Sequence, residues 1–346
     1  MKLGLTAASY ADGRVDLAKV QEAERLGYDS VWTGEAYGSD AVTPLAYLAA
    51  VTNRIKLGTG ILQLAGRSPV NCAMTMSTLD ALSGGRVLVG LGLSGPQVVE
   101  GWHGVPYHPP ATWLREYIAI LRAIWAREAP VEFEGKVYQL PYHGPGATGL
   151  GKPLRSTLHP RQLPIYLATM GPINVRMTAE IADGWLPIWI SPYKLDLFRP
   201  ALEEGFRRAG GGKSWNDFDF VGRCSVILGD DVAACLAKMK PRYALYIGGM
   251  GAREMNFYND LAVKLGYGDA AERIQDLYLA GRKEEAAAAV PDELCDELSL
   301  CGPAARIRER FRAWEDAGVT TLIVDGHSPE AYHLMAEITG AQALAG

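Results

Sequence analysis

The chain has 346 residues, 48% hydrophobic and 21% charged, with a formal net charge of -5. This composition builds a large soluble core without a basic stripe, so neither nucleic acid nor a membrane is an expected partner, and no apolar run reaches spanning length. Five cysteines without a CxxC pair fit reduced thiols, and Leu3-Gly4-Leu5 follows no export-type n-region; a cytoplasmic protein is expected.

Short apolar strands then alternate with amphipathic helices, the pattern of a parallel sheet wrapped by helices. Strand one is expected at Lys2 to Thr6, followed by a helix from Val15 to Leu26 that Gly27 stops. Strands two and three are expected at Ser30 to Thr33 and Ile55 to Gly60, and strand four at Val87 to Leu91. Strands five, six and seven follow at Ile165 to Ala168, Gly184 to Pro187 and Phe220 to Ile227. Strand eight, Thr321 to Val324, lies between a helix over Ala304 to Ala317 and a closing helix over Glu330 to Ile338. Eight such units without a composition break predict one α/β domain over residues 1–346, a TIM-type (β/α)8 barrel with insertions in the βα loops.

Two segments exceed the minimal unit. Residues 131–164 are rich in Gly, Pro and Tyr and cannot be one helix, whereas 241–302 is mostly helical and broken by Pro241, Pro291 and Gly302. Long βα inserts in barrels wall or cover the site at the carboxyl ends of the strands. For the second insert a subunit contact is an equal alternative.

The most informative stretch is MTMSTLDALSGGRVLVGLGLSG, residues 74–95. Gly84-Gly85 ends a helix, a buried strand follows, and its carboxyl end opens into Gly92-Leu93-Ser94-Gly95. Small residues there let a flat ligand approach the backbone closely. After strand five, Ala168-Thr169-Met170-Gly171-Pro172-Ile173-Asn174 feeds a helix expected to start at Asn174. Free N–H groups and the positive dipole end at such a junction suit a phosphate, although many barrels only cap helices this way. Lys152, Arg155 and Arg161 stand near enough in sequence to meet an anionic tail, or are simply solvated.

TLDALSGGRVLVGLGLSGPQVVEGWHG and the insert LPYHGPGATGLGKPL resemble the bacterial luciferase-like oxidoreductases, and within them the branch that uses the deazaflavin coenzyme F420. The resemblance spans nearly the whole chain. It implies hydride transfer between deazaflavin C5 and a small organic substrate, and a homodimer. By position it implies a non-proline cis peptide at Gly60-Ile61, with Gly60, Ile61 and Gln63 on one side of the ring and Ser94 and Gly95 on the other. The loop Thr169, Met170, Gly171 and Asn174 becomes the expected cofactor-phosphate site, with Gly171 and Asn174 foremost. The family commonly carries an acid followed by His after strand two, and its deazaflavin sugar dehydrogenases carry a proton-donating Glu after strand four. This chain keeps Glu35 but has Ala36 and Pro96 there, which favours activated C=C or C=N bonds over sugars and simple alcohols.

The remaining candidates are Glu35, Tyr37 and His103 for catalysis, and Tyr10, Gln97 and Trp102 for the substrate pocket. Against these stand plainer roles: a carboxylate paired with an Arg, aromatics in a core, a solvated loop His. Asp183 is expected to hold a turn, and Asp325 and His327 sit at the functional rim without an assigned role. Six histidines without HExxH or His-Cys clustering predict no metal site. Gly90 to Gly95 matches GxGxxG by letter alone, since no helix starts at its first Gly. Two alternatives remain at this stage: an FMN-dependent monooxygenase of the same fold, and a degenerate barrel acting as a binding subunit.

Overall fold

The computed structural model describes residues 1–7 and 13–342; Tyr10 lies outside the described residues. The principal strands are β1 (Lys2–Thr6), β2 (Ser30–Thr33), β3 (Lys56–Thr59), β4 (Val87–Gly92), β5 (Ile165–Leu167), β6 (Gly184–Trp185), β7 (Asp219–Leu228) and β8 (Thr321–Gly326). All eight expected strands form, β1 and β2 with the expected ends and the other six with one or both ends shifted by one or two residues. The chain packs as two compact units.

The larger unit comprises Thr6–Pro187 and Phe198–Phe220. Its strands pair in parallel in the order β2-β3-β4-β5-β6, and the first residues of β7 join β6 through Asp219↔Gly184. A strand buried on both faces reads as an apolar run, and every residue of β4, VLVGLG, is buried. Gly90 is obligatory there: a Cβ would stand 1.9 Å from the Thr59 carbonyl oxygen. Thr59 Oγ1 donates to the Gly90 carbonyl at 2.9 Å and accepts its N–H at 2.8 Å, so β3 and β4 are locked side by side.

The helix Pro69–Ser83 starts at Ser68, whose hydroxyl accepts Asn71 N–H, and stops at left-handed Gly84, as the sequence suggests. The helix after β5 runs Pro172–Ile181 with Gly171 as N-cap, two residues earlier than expected. Proline needs no donor in the first turn, so Pro172 starts the helix instead of preceding it. Residues 131–164 hold a short antiparallel hairpin, Phe133–Glu134 with Gln139–Leu140. Its turn is tied down by the Glu116 carboxylate, which accepts N–H bonds from Lys136, Val137 and Tyr138.

The smaller unit comprises Met1–Leu5, Ile188–Leu197 and Val221–Ala345. Here β8 lies between β1 and β7, all parallel. A strand not foreseen, Ser299–Gly302, pairs with the end of β7 from Ser225↔Ser299 onward. The excursion is otherwise helical: Lys240–Gly249, Phe257–Lys264, Gly268–Leu279, Lys283–Ala288 and Asp292–Glu297. Pro241 opens the first of these helices instead of breaking one. Buried Glu297 fastens the excursion to the loop after β6, accepting from Ser191 Oγ, Lys194 Nζ and Tyr267 OH.

In the larger unit, Glu24 Oε1 accepts the N–H groups of Asn53, Arg54 and Ile55 at 2.6–2.9 Å, fixing the entry to β3. Burial alone would raise its pKa, but the three donors and Arg86 lower it below the ordinary 4.5. Its stabilisation is therefore complete above pH 4.5 and is lost as pH falls through the lower folded-state value. Glu24→Ala is expected to cost about 2 kcal/mol, since the buried Ile55 N–H and the part-buried N–H groups of Asn53 and Arg54 lose their acceptor. Denaturant titration checks this, and Glu24→Gln should flatten the acid limb of a Tm-against-pH curve.

Candidate active site

The carboxyl ends of β2, β3 and β4 converge within the larger unit. Beyond β3 the Gly60-Ile61 peptide is cis, as the resemblance implies. Gly60 N–H donates to Thr33 O, and Ile61 O accepts Glu35 N–H at 3.1 Å. Leu62 and Gln63 then rejoin the sheet opposite Leu91 and Gly92. Ile61 packs over Gly92, where a Cβ would lie 2.2 Å from Ile61 Cδ1. The glycine-rich end of β4 thus makes room for the Ile61 side chain.

Glu35 is largely consumed by protein donors. Arg67 Nη1 reaches both of its oxygens, at 2.7 and 2.9 Å, Gln63 N–H reaches Oε1 at 2.9 Å, and Ala41 N–H reaches Oε2 at 3.3 Å. Burial pulls the Arg67 pKa down, but Glu35 and Asp40 more than offset it and leave it raised. Asp40 stands 3.6 Å from Arg67 Nη2. Arg67 and Asp40 were not foreseen, because nothing local in sequence marks an Arg that pairs with a carboxylate in the preceding loop.

Gln63, 3% exposed, is the hub of this patch. Its Nε2 lies 3.3 Å from Glu35 O and 3.5 Å from Ser94 Oγ, while its Oε1 lies 2.7 Å from His103 Nε2. Ser94 takes a left-handed φ of 64°, and Gly95 caps a short helix, Pro96–Gly101. That helix starts at the far end of the GxGxxG match, not at its first Gly. His103 follows, its N–H bonded to Val98 O, and its ring lies against Gly66. Four sequence candidates, Glu35, Gln63, Ser94 and His103, therefore share one hydrogen-bonded network. Tyr37, Gln97 and Trp102 are exposed around it, Tyr37 at 57% and Trp102 at 64%.

The loop after β5 is also pinned. Trp185 Nε1 donates to Thr169 O at 2.7 Å, Thr169 and Thr178 hydroxyls meet at 2.7 Å, and Thr178 donates to Asn174 O. At Gly171 no side chain caps the helix, and a Cβ would meet nothing within 4 Å. Ile173 and Asn174 follow in the first turn, where helical N–H groups have no internal acceptor. Met170 is partly exposed in the same loop. Of the three cations expected near an anionic tail, two are engaged, Arg161 with Asp80 and Ser77 O and Arg155 with Glu128 O, while Lys152 is exposed. Asp183 holds the β5–β6 turn by accepting Ile165 N–H.

In the smaller unit Asp325 pairs with Arg223 at 2.9 Å and with Arg242 at 3.7 Å. Arg223 was not foreseen, although a charge inside the apolar run of β7 was its signal. Beside them His327 has a lowered pKa, from burial first and then from Lys238 and Arg242 against Asp325. Among the described residues no three His, Cys, Asp or Glu side chains gather as a metal site, and no helix is long and apolar enough to cross a membrane.

Residues 5–321 match the family model described as luciferase-like monooxygenase. The chain is 46% identical over 332 residues, 95% of each chain, to a putative coenzyme F420-dependent oxidoreductase of Mycobacterium tuberculosis. Among solved structures it is similar to a coenzyme F420-dependent tetrahydromethanopterin reductase from Methanopyrus kandleri, with TM-score 0.80, 22% identity and 99% of both chains covered. An F420-dependent secondary alcohol dehydrogenase follows at TM-score 0.77, 18% identity and 98% coverage of both chains. The fold is the TIM-type (β/α)8 barrel of these enzymes.

Proposed function

The chain belongs to the luciferase-like monooxygenase family, and from that premise we propose that it is a coenzyme F420-dependent oxidoreductase acting on a small organic substrate. The observation that carries this reading is the convergence of three strand ends on Gln63, which joins Glu35, Ser94 and His103 in one hydrogen-bonded network. The patch fits a flat ring: Ile61 and Gln63 offer one wall, and Ser94 and Gly95 a backbone floor free of bulky side chains. Gly171, with open space at its Cβ position and uncapped N–H groups behind it, fits a phosphate.

When bound, the deazaflavin supplies a hydride through its C5, while the protein contributes orientation and electrostatics. Thr169 and Met170 line the approach to the phosphate position. Tyr37, Gln97 and Trp102 form the substrate wall, Glu35 acts through its hold on Gln63 and Arg67, and His103 is the group left to handle a proton. Without His at position 36 or Glu at position 96, the site suits an activated C=C or C=N bond, which needs less acid–base help than an alcohol. We place the enzyme in the cytoplasm as a homodimer.

Purified protein is expected to quench or shift deazaflavin fluorescence at far lower ligand concentration than it does that of FMN. Tight FMN binding with weak deazaflavin binding would replace this reading with the monooxygenase one. Binding of neither would leave a cofactor-free barrel.

A further inference from the structure

The hydrogen bonds around Gln63 decide where the proton sits on His103. Gln63 presents one amide end to the Glu35 carbonyl oxygen at 3.3 Å and the other to His103 Nε2 at 2.7 Å. A carbonyl oxygen can only accept, so the end facing Glu35 must be the NH2 group. The end facing His103 is then Oε1, which also can only accept, and His103 Nε2 must carry a hydrogen. Ser94 Oγ, 3.5 Å from Gln63 Nε2, adds an acceptor on the same side. Neutral His103 therefore has its lone pair on Nδ1.

Among the described residues nothing occupies that lone pair, since Nδ1 makes no hydrogen bond with any of them. His103 Cε1 and Glu35 Oε1 both flank Gly66, 3.4 and 3.6 Å from where its Cβ would stand. The Glu35 oxygens, however, are taken by Arg67, Gln63 N–H and Ala41 N–H. We propose that Gln63 is a positioning residue that locks His103 in the Nε2–H tautomer and so presents Nδ1 as the atom that meets the bound ligand. The identity of that ligand rests on the function proposed above; the tautomer does not. A hydrogen bond that merely pinned the loop would leave the choice of tautomer without consequence for binding.

Histidine-labelled protein separates these roles through long-range proton–nitrogen NMR spectra, recorded above the imidazole titration range. The His103 signals are identified by their loss in His103→Asn. Wild type is expected to show a protonated Nε2 and an unprotonated Nδ1. Gln63→Leu should move both nitrogens toward the averaged values of a tautomer mixture, while Gln63→Glu, which keeps an oxygen acceptor, should hold the wild-type pattern. Addition of F420 should shift Nδ1 and leave Nε2 nearly still. A protonated Nδ1 in wild type, or a Gln63→Leu spectrum unchanged from wild type, would overturn the proposal. If F420 binds by fluorescence yet Nδ1 does not move, the ligand-facing role fails and the proposed function stands. If F420 does not bind at all, the proposed function fails and that role with it, while the apo spectra still decide what Gln63 does.

Discussion

Gly171→Asp is expected to weaken F420 binding at least about 100-fold, near 2.7 kcal/mol, while leaving the fold as stable as before or more so. The two effects part because aspartate is a favoured N-cap. Gly171 has φ -70° and ψ 145°, an extended conformation open to any residue, and its Cβ position faces empty space. An Asp there accepts an N–H bond from the first turn of Pro172–Ile181, worth about 0.3 kcal/mol over Gly, and meets the positive dipole end, worth about 0.3–1 kcal/mol. The same carboxylate would confront a phosphate on the same N–H groups, replacing attraction with repulsion. Gly171→Asn is the control: it caps without charge and should lose far less affinity. Fluorescence titration with thermal melts reads both quantities. Unchanged affinity in a folded Gly171→Asp protein would move the phosphate elsewhere.

What the sequence revealed was local in nature. Strand–helix alternation, the Gly84-Gly85 stop and the glycines of β4 were legible because periodicity and backbone freedom are written in neighbouring residues. Why those glycines are needed was not. Gly90 answers to the Thr59 carbonyl and Gly92 to Ile61, both some thirty residues upstream. The Gly60-Ile61 peptide was expected from family resemblance, since Gly-Ile after a strand has no conformational signature of its own. The helix starts at Pro172 and Pro241 differ from the sequence reading because proline's missing donor suits a first turn: one helix begins two residues before Asn174, and the other is opened by Pro241 where the sequence suggests a break. Ser299–Gly302 reads in sequence as part of the broken helical excursion, because only its pairing with β7 makes it a strand. Glu35 and His103 were visible as polar residues in rim loops, but Arg67, which governs how Glu35 is used, was not.

The Arg67–Glu35 pair gives the second large effect. Both side chains are mostly buried, at 18% and 10% exposure, so the pair is weakly screened. Arg67→Leu would leave the Glu35 carboxylate with only the Gln63 and Ala41 N–H groups, and a loss of about 3 kcal/mol is expected. The double variant Glu35→Gln/Arg67→Leu removes the stranded charge while Gln keeps an oxygen for those two donors. It should therefore be more stable than Arg67→Leu alone by about 1 kcal/mol, a non-additivity that marks direct coupling. Denaturant unfolding of both single variants and the double variant measures it. Binding should follow a different order. Glu35 holds Gln63 N–H, and its carbonyl oxygen orients the Gln63 amide, so a displaced Glu35 loop loosens the wall beside Ile61. Folded Arg67→Leu should bind F420 at least about tenfold more weakly, a cost near 1.4 kcal/mol. Additive stabilities with unchanged affinity would leave Arg67 uncoupled from Glu35 and detach the pair from the site.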